Sequence, residues 1–191
     1  MDNLELIELY IDEQNISDGV DAISFVESPA IEENFVALSK HEVLFKSIDD
    51  EKKIIVGLAL VPDKKIYRKN KDKEFNIFFS QDTVKKASHL YLKKLKSNNT
   101  TLEHEMDIEG VSVVESWIVE DPKNDKSNLY GLNAVKGAWA VIMAVDNDEV
   151  WKDVKEGKYL GLSIEGIFSD KKEVDEAEEL LKELKRILNE G

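Results

Sequence analysis

The apolar residues of this chain come in short runs, each cut off by turn-forming or charged residues, and that punctuation restricts it to a fold built mainly from strands. The clearest run is Ile54 to Val61, IIVGLALV, closed by Pro62-Asp63; it reads as a central strand. Leu4 to Ile11 predicts a first strand stopped by Asp12-Glu13-Gln14-Asn15. Further strands are expected at Phe75–Phe79, Thr101–Met106, Val111–Val119, Gly137–Val145 and Tyr159–Phe168, and strand character also marks Val43 and Phe45 before a turn at Asp49-Asp50. The stretch from Gly19 to Lys40 holds Ile23, Phe25 and Val26, but Ser28-Pro29-Ala30 interrupts ladder pairing, so it reads as a packed, irregular arm. Lys64 to Glu74 is locally basic and predicts an exposed loop or hairpin, a surface suited to acidic segments or simply to solvent.

Helical spacing occurs in three places. Val84, Ala87, Leu92 and Leu95 follow Asp82, a candidate N-cap, and Ser97-Asn98-Asn99 closes that helix. Asp148 to Lys155 predicts a short helix capped by Asp148, with Val150, Trp151 and Val154 inward and Gly157 as its stop. The composition shifts at Ser169-Asp170, after which Val174, Ala177, Leu181, Leu184 and Leu188 trace a heptad seam too short to stand alone. These features divide the chain into a β-rich domain over 1–169 and a C-terminal helical extension over 170–191. The extension's seam is read as a surface for a scaffold or a second copy, with docking on the β-domain as the alternative.

Composition removes several classes of function. Lys and Arg number 26 against 40 Asp and Glu, giving a net charge of −14 that repels polyphosphate and makes nucleic acid a poor partner. There are no cysteines, which excludes a disulfide framework, a thiolate metal site and a cysteine nucleophile. No apolar run approaches the ~20 residues of a membrane helix, so no membrane span is expected, and the lack of cysteine points to a cytosolic setting. Trp117, Trp139 and Trp151 occupy apolar positions and are assigned to core packing. The polar loop Glu120–Lys136 is long for a hairpin connection, and it either borders a cleft or lies idle on the surface.

Of the three histidines, His41 and His89 sit in polar surroundings and read as structural. His104 lies in Thr101-Leu102-Glu103-His104-Glu105-Met106, just before Asp107-Ile108-Glu109-Gly110-Val111. A two-residue turn at Glu109-Gly110 would set Ile108 against Val111 and so His104 against Glu115, on a face shared with Leu102, Met106, Val111, Val113 and Trp117. A carboxylate facing an imidazole fixes its tautomer and stabilises the imidazolium; a cross-strand ion pair is the plain alternative. Ser163 lies in Gly157-Lys158-Tyr159-Leu160-Gly161-Leu162-Ser163-Ile164-Glu165-Gly166, where flanking glycines permit close backbone approach and free amides for an oxyanion. The competing reading is a strand serine beside a bulge. Ser116 is nearer His104 in sequence, but the same register turns it to the opposite face.

The run EHEMDIEGVSVVESWIVEDPKNDKSNLYGL, then KGAWAVIMAVDNDEVWKDVKEGKYLGLSIEGIF, resembles the XkdF-like phage serine proteases, a branch of the prohead (procapsid) maturation proteases. GVDAISFVESPAIEENFVALSK and GLALVPDKKIYR add to the likeness, which reaches to about Phe168. The resemblance implies an α+β fold: a mainly antiparallel, herpesvirus-protease-like β-barrel with flanking helices. It implies a serine endopeptidase in which His104 is the general base and Ser163 the nucleophile, with no metal or organic cofactor. Glu115 is the expected third member on the hairpin register, ahead of Asp107, which that register turns away, and Glu165, which lies close to Ser163 along the strand. The implied substrates are the scaffolding protein, the major capsid protein and the protease itself, cut inside the procapsid in the host cytoplasm. A catalytically silent virion protein on the same barrel is the main rival, and a general peptidase of the host cell is a second.

Overall fold

The structure, a computed structural model, describes residues 4–27, 46–49, 52–70 and 73–171, with the backbone alone for 46–49. His41, the segment around Val43 and Phe45, and the expected C-terminal helix lie outside the described residues. In chain order the strands and helices are β1 (Glu5–Tyr10), β2 (Gly19–Val26), β3 (Lys46–Asp49), β4 (Ile54–Leu60), β5 (Ile66–Asn70), β6 (Lys73–Phe79), α1 (Gln81–Lys93), β7 (Thr100–Leu102) and β8 (Met106–Ile108). They continue with β9 (Val111–Ile118), α2 (Lys126–Leu129), β10 (Trp139–Val145), α3 (Asp148–Lys155), β11 (Gly161–Ile167) and β12 (Ser169–Asp170).

The strands form three open four-stranded sheets, with orders β12-β1-β6-β5, β3-β4-β10-β9 and β11-β2-β7-β8. The expected closed barrel is therefore overturned among the described residues, while the pairing is mainly antiparallel as expected. A barrel needs one ladder that returns to its first strand, and each of these sheets ends on two edges. Two pairings are also parallel, β1 with β6 and β2 with β7, and these require long crossover connections in place of tight hairpins. The result is a mostly β protein whose layers share one core.

That core joins all three sheets to α1 and α3 through Val20, Ile23 and Phe25 of β2, Ile55 of β4, Ile77 and Phe79 of β6, Tyr91, Trp139, Met143 and Trp151. Trp139 and Tyr91 are fully buried and meet edge to face at 5.4 Å; burial of each such ring supplies on the order of 2–3 kcal/mol. The opposite face of β4 and β10 is apolar too, and it is sealed by Val119, Leu132 and Ala138 from the 119–138 connection. This explains why Ile54–Leu60 and Trp139–Val145 are nearly continuous apolar runs: both faces of these strands are covered.

Local chemistry sets the boundaries. α1 starts two residues earlier than Asp82 suggests, because the Ser80 hydroxyl accepts from the Thr83 amide as N-cap. It ends in a Schellman motif, Lys96 N–H to Tyr91 C=O and Leu95 N–H to Leu92 C=O, with Leu95 in the left-handed region at φ 56°. α3 is capped by Asn147, whose side chain accepts from the Glu149 and Val150 amides. The basic stretch forms the expected hairpin, β5 against β6. Gly19–Val26 is a central strand with one bulge, at Asp21 opposite Glu165 and Gly166, instead of an irregular arm; its residues are buried on both sides except Asp21.

Candidate active site

The face of the third sheet that points away from the core carries a row of polar side chains. Ser163 on β11 pairs with Ser24 on β2, Ser24 with Thr101 on β7, and Thr101 with Asp107 on β8. Directly paired residues project to the same side, so these four side chains share one face. The next row, Ile164, Ile23, Thr100 and Ile108, projects to the other side, with Ile23 fully buried in the core. Glu165, two residues after Ser163, alternates back onto the polar face.

His104 lies at the rim of this face, in the turn that joins β7 to β8. Glu103 and His104 both adopt left-handed backbone, at φ 51° and 59°. Each such conformation costs on the order of 1 kcal/mol for a residue with a side chain, so the turn has to be held from outside. Strand β2 holds it: the Glu103 amide donates to Phe25 C=O at 2.9 Å, and the His104 amide donates to the Ser24 hydroxyl at 3.0 Å. The Glu27 amide donates in turn to the Glu103 carboxylate at 2.5 Å.

So placed, His104 Nδ1 lies 3.3 Å from Glu165 Oε1, with side-chain exposures of 36% and 30%. The same Oε1 accepts the Thr101 hydroxyl. A carboxylate acceptor at Nδ1 selects the Nδ1–H tautomer, which leaves Nε2 as the ring nitrogen that can take a proton. Ser163 is half-buried, and among the described residues its hydroxyl makes no hydrogen bond, to His104 or to any other group. Ser24, in contrast, is fully buried and its hydroxyl is occupied, so the accessible alcohol on this face is Ser163.

Glu115 does not face His104. The expected hairpin across Glu109-Gly110 is replaced by two pairings: β8 folds back on β7, and β9 joins β10 in another sheet. A bulge in β9 opposite Ile142 and Met143 inserts Val114 and reverses the alternation. Val111 and Val113 therefore face the core, while Glu115 turns outward with Trp117 and pairs with Lys126. Ser116, which the simple register turns away from the core, faces it and accepts the Trp139 indole N–H at 2.8 Å. Asp107 shares the polar row but is exposed at the sheet edge. Lys126 lies 3.9 Å above the Trp117 ring and the Trp117 indole donates to Asp125, so the 120–136 loop is tied down against β9. No signal in EHE marks the left-handed turn, since neither Gly nor Asn occupies it. Glu165 was findable from strand alternation alone, which puts it beside Ser163.

The family described as "Putative phage serine protease XkdF" matches residues 40–173 of this sequence, more than half of the chain. The chain belongs to this family. His104, Ser163 and Glu165 all fall inside the matched segment. The sequence is also 27% identical over 128 residues to the phage-like element PBSX protein XkdF of Bacillus subtilis strain 168; the alignment takes in 66% of this chain and 41% of that protein. No solved structure matches. Membership of the XkdF family indicates a phage protein and, through the family's description, a serine protease at most; the herpesvirus-protease-like branch expected from the sequence has no counterpart in these matches. No helix among the described residues is long and apolar enough to cross a membrane.

Proposed function

We propose that this XkdF-family chain is a serine endopeptidase of phage assembly in which Ser163 is the nucleophile, His104 the general base and Glu165 the carboxylate that orients it. The observation that carries the reading is the 3.3 Å approach of His104 Nδ1 to Glu165, on the sheet face that also presents Ser163. Nε2 of His104 takes the Ser163 proton as the oxygen attacks a peptide carbonyl; the imidazolium returns the proton to the leaving amine, and water later hydrolyses the acyl-enzyme. Glu165 stabilises the imidazolium through Nδ1–H. Its substrates are the scaffolding protein, the major capsid protein and copies of itself, met inside the procapsid, where confinement raises their effective concentration.

The test is co-expression with the cognate capsid and scaffold proteins. The parent chain trims one or both to shorter products, and the Ser163→Ala chain leaves them intact. Cleavage that persists in Ser163→Ala would remove the assignment, and absence of cleavage by the parent would favour a silent virion component.

A further inference from the structure

The polar face holds two hydroxyls that the chemistry above does not consume, and each contacts one half of the His104–Glu165 pair. Thr101, 6% exposed, donates to Glu165 Oε1, the same oxygen that faces His104. Ser24, fully buried, accepts the His104 amide at 3.0 Å while its backbone pairs directly with Ser163. We infer that Thr101 and Ser24 are positioning residues, Thr101 fixing the carboxylate rotamer and Ser24 fixing the base turn against the nucleophile strand; this rests on the peptidase reading of the same face.

Three observations converge on it. Glu165 has four side-chain lone-pair sites, yet Thr101 and His104 meet on a single oxygen, which holds the carboxylate in one orientation toward the imidazole. Thr101 and Ser24 are register partners on the two central strands of the sheet, so ladder hydrogen bonds fix the backbone that carries both hydroxyls. The turn they support contains two consecutive left-handed residues, a conformation that relaxes once its tethers are cut. Ser24 is thereby the link that sets how far the His104 backbone stands from Ser163.

The experiment uses the full chain, a fluorophosphonate probe for serine reactivity, and nitrogen-15 NMR of the histidine side chains for the tautomer. In the parent, the probe labels Ser163 and the His104 signals are those of an Nδ1–H imidazole. Thr101→Val keeps the shape and removes the donor: the labelling rate falls by about tenfold or more, and the His104 signals shift toward a mixture of tautomers. Thr101→Ser restores the donor and returns the rate to within about threefold of the parent. Ser24→Ala slows labelling while near-native amide spectra elsewhere report an intact fold. Parent-like tautomer signals in Thr101→Val overturn the inference, whether or not labelling falls, because damage without loss of orientation is a different cause. If the parent is not labelled at Ser163, the peptidase reading fails, and the tautomer comparison still decides the role of Thr101.

Discussion

Replacing Gly166 by Ala puts a methyl group where the backbone of β2 already stands. Its Cβ would lie 2.2 Å from the Gly19 carbonyl oxygen, 2.9 Å from Val20 Cα and 3.0 Å from the Gly19 carbonyl carbon. Ordinary contact begins at 3.4 Å, so β2 and β11 have to part by about 1 Å, and every clashing atom belongs to backbone that no rotamer change can move. Overpacking of this kind costs about 1–3 kcal/mol, and each strand hydrogen bond stretched by the separation adds about 1 kcal/mol. The expected loss is about 3 kcal/mol, read as a fall of about 1–2 M in the urea midpoint at unchanged m-value. Gly157→Ala is the control, because Gly157 sits at φ 72° with no atom within 4 Å of its would-be Cβ. It carries backbone strain alone, about 1 kcal/mol. The same shift of β2 carries Ser24 away from Ser163, so fluorophosphonate labelling of Gly166→Ala should slow even below its unfolding range. An unfolding free energy within about 0.5 kcal/mol of the parent, or a loss no larger than that of Gly157→Ala, would refute the steric argument.

Leu95 occupies the left-handed position of the α1 Schellman motif while 84% exposed, so it carries strain with little packing in return. Leu95→Gly removes on the order of 1–2 kcal/mol of strain against about 0.5–1 kcal/mol of added chain entropy, for a net gain near 0.5–1 kcal/mol and a melting temperature about 2 °C higher; Leu95→Ala, which keeps the strain, should show no gain. Burial works to raise the Asp125 carboxyl, but the Ser127 amide and the Trp117 indole N–H outweigh it and hold the group below its ordinary value of 3.8. A depressed carboxyl stabilises the loop above the unfolded value, and that contribution disappears as pH falls through the lower folded one. The Trp117 indole resonance should therefore move below about pH 4, and the Trp139 indole, bonded to the neutral Ser116 hydroxyl, should not.

Strands with an unambiguous pattern were legible in the sequence. Ile54–Leu60, Trp139–Val145 and Gly161–Ile167 fall where apolar runs and turn residues place them. Pairing was not, since it depends on partners far apart in the chain. Nothing in Val20-Asp21-Ala22 announces that β2 lies between β11 and β7. The candidate site divides the same way. His104 and Ser163 stood out by residue type and glycine context, whereas their geometry rested on a hairpin register that a β-bulge and a left-handed turn both defeat. In the sequence Glu165 ranks behind Glu115 because it lies two residues from Ser163 along the strand. Because His104 comes from a turn, it reaches across the sheet to a carboxylate two residues beyond the serine.

The third sheet draws its four strands from residues 19–26, 100–102, 106–108 and 161–167, and its parallel pair spans most of that interval. A ribosome therefore releases Ser24, Thr101 and His104 before Ser163 and Glu165, and on the proposed reading the intermediate chain has a base turn without its orienting carboxylate or its alcohol. On that reading, a translation product that stops short of β11 lacks a complete His104, Ser163 and Glu165 set. Completion of the site then waits on the distant pairing of β11 with β2, a step slowed by the length of chain it has to close.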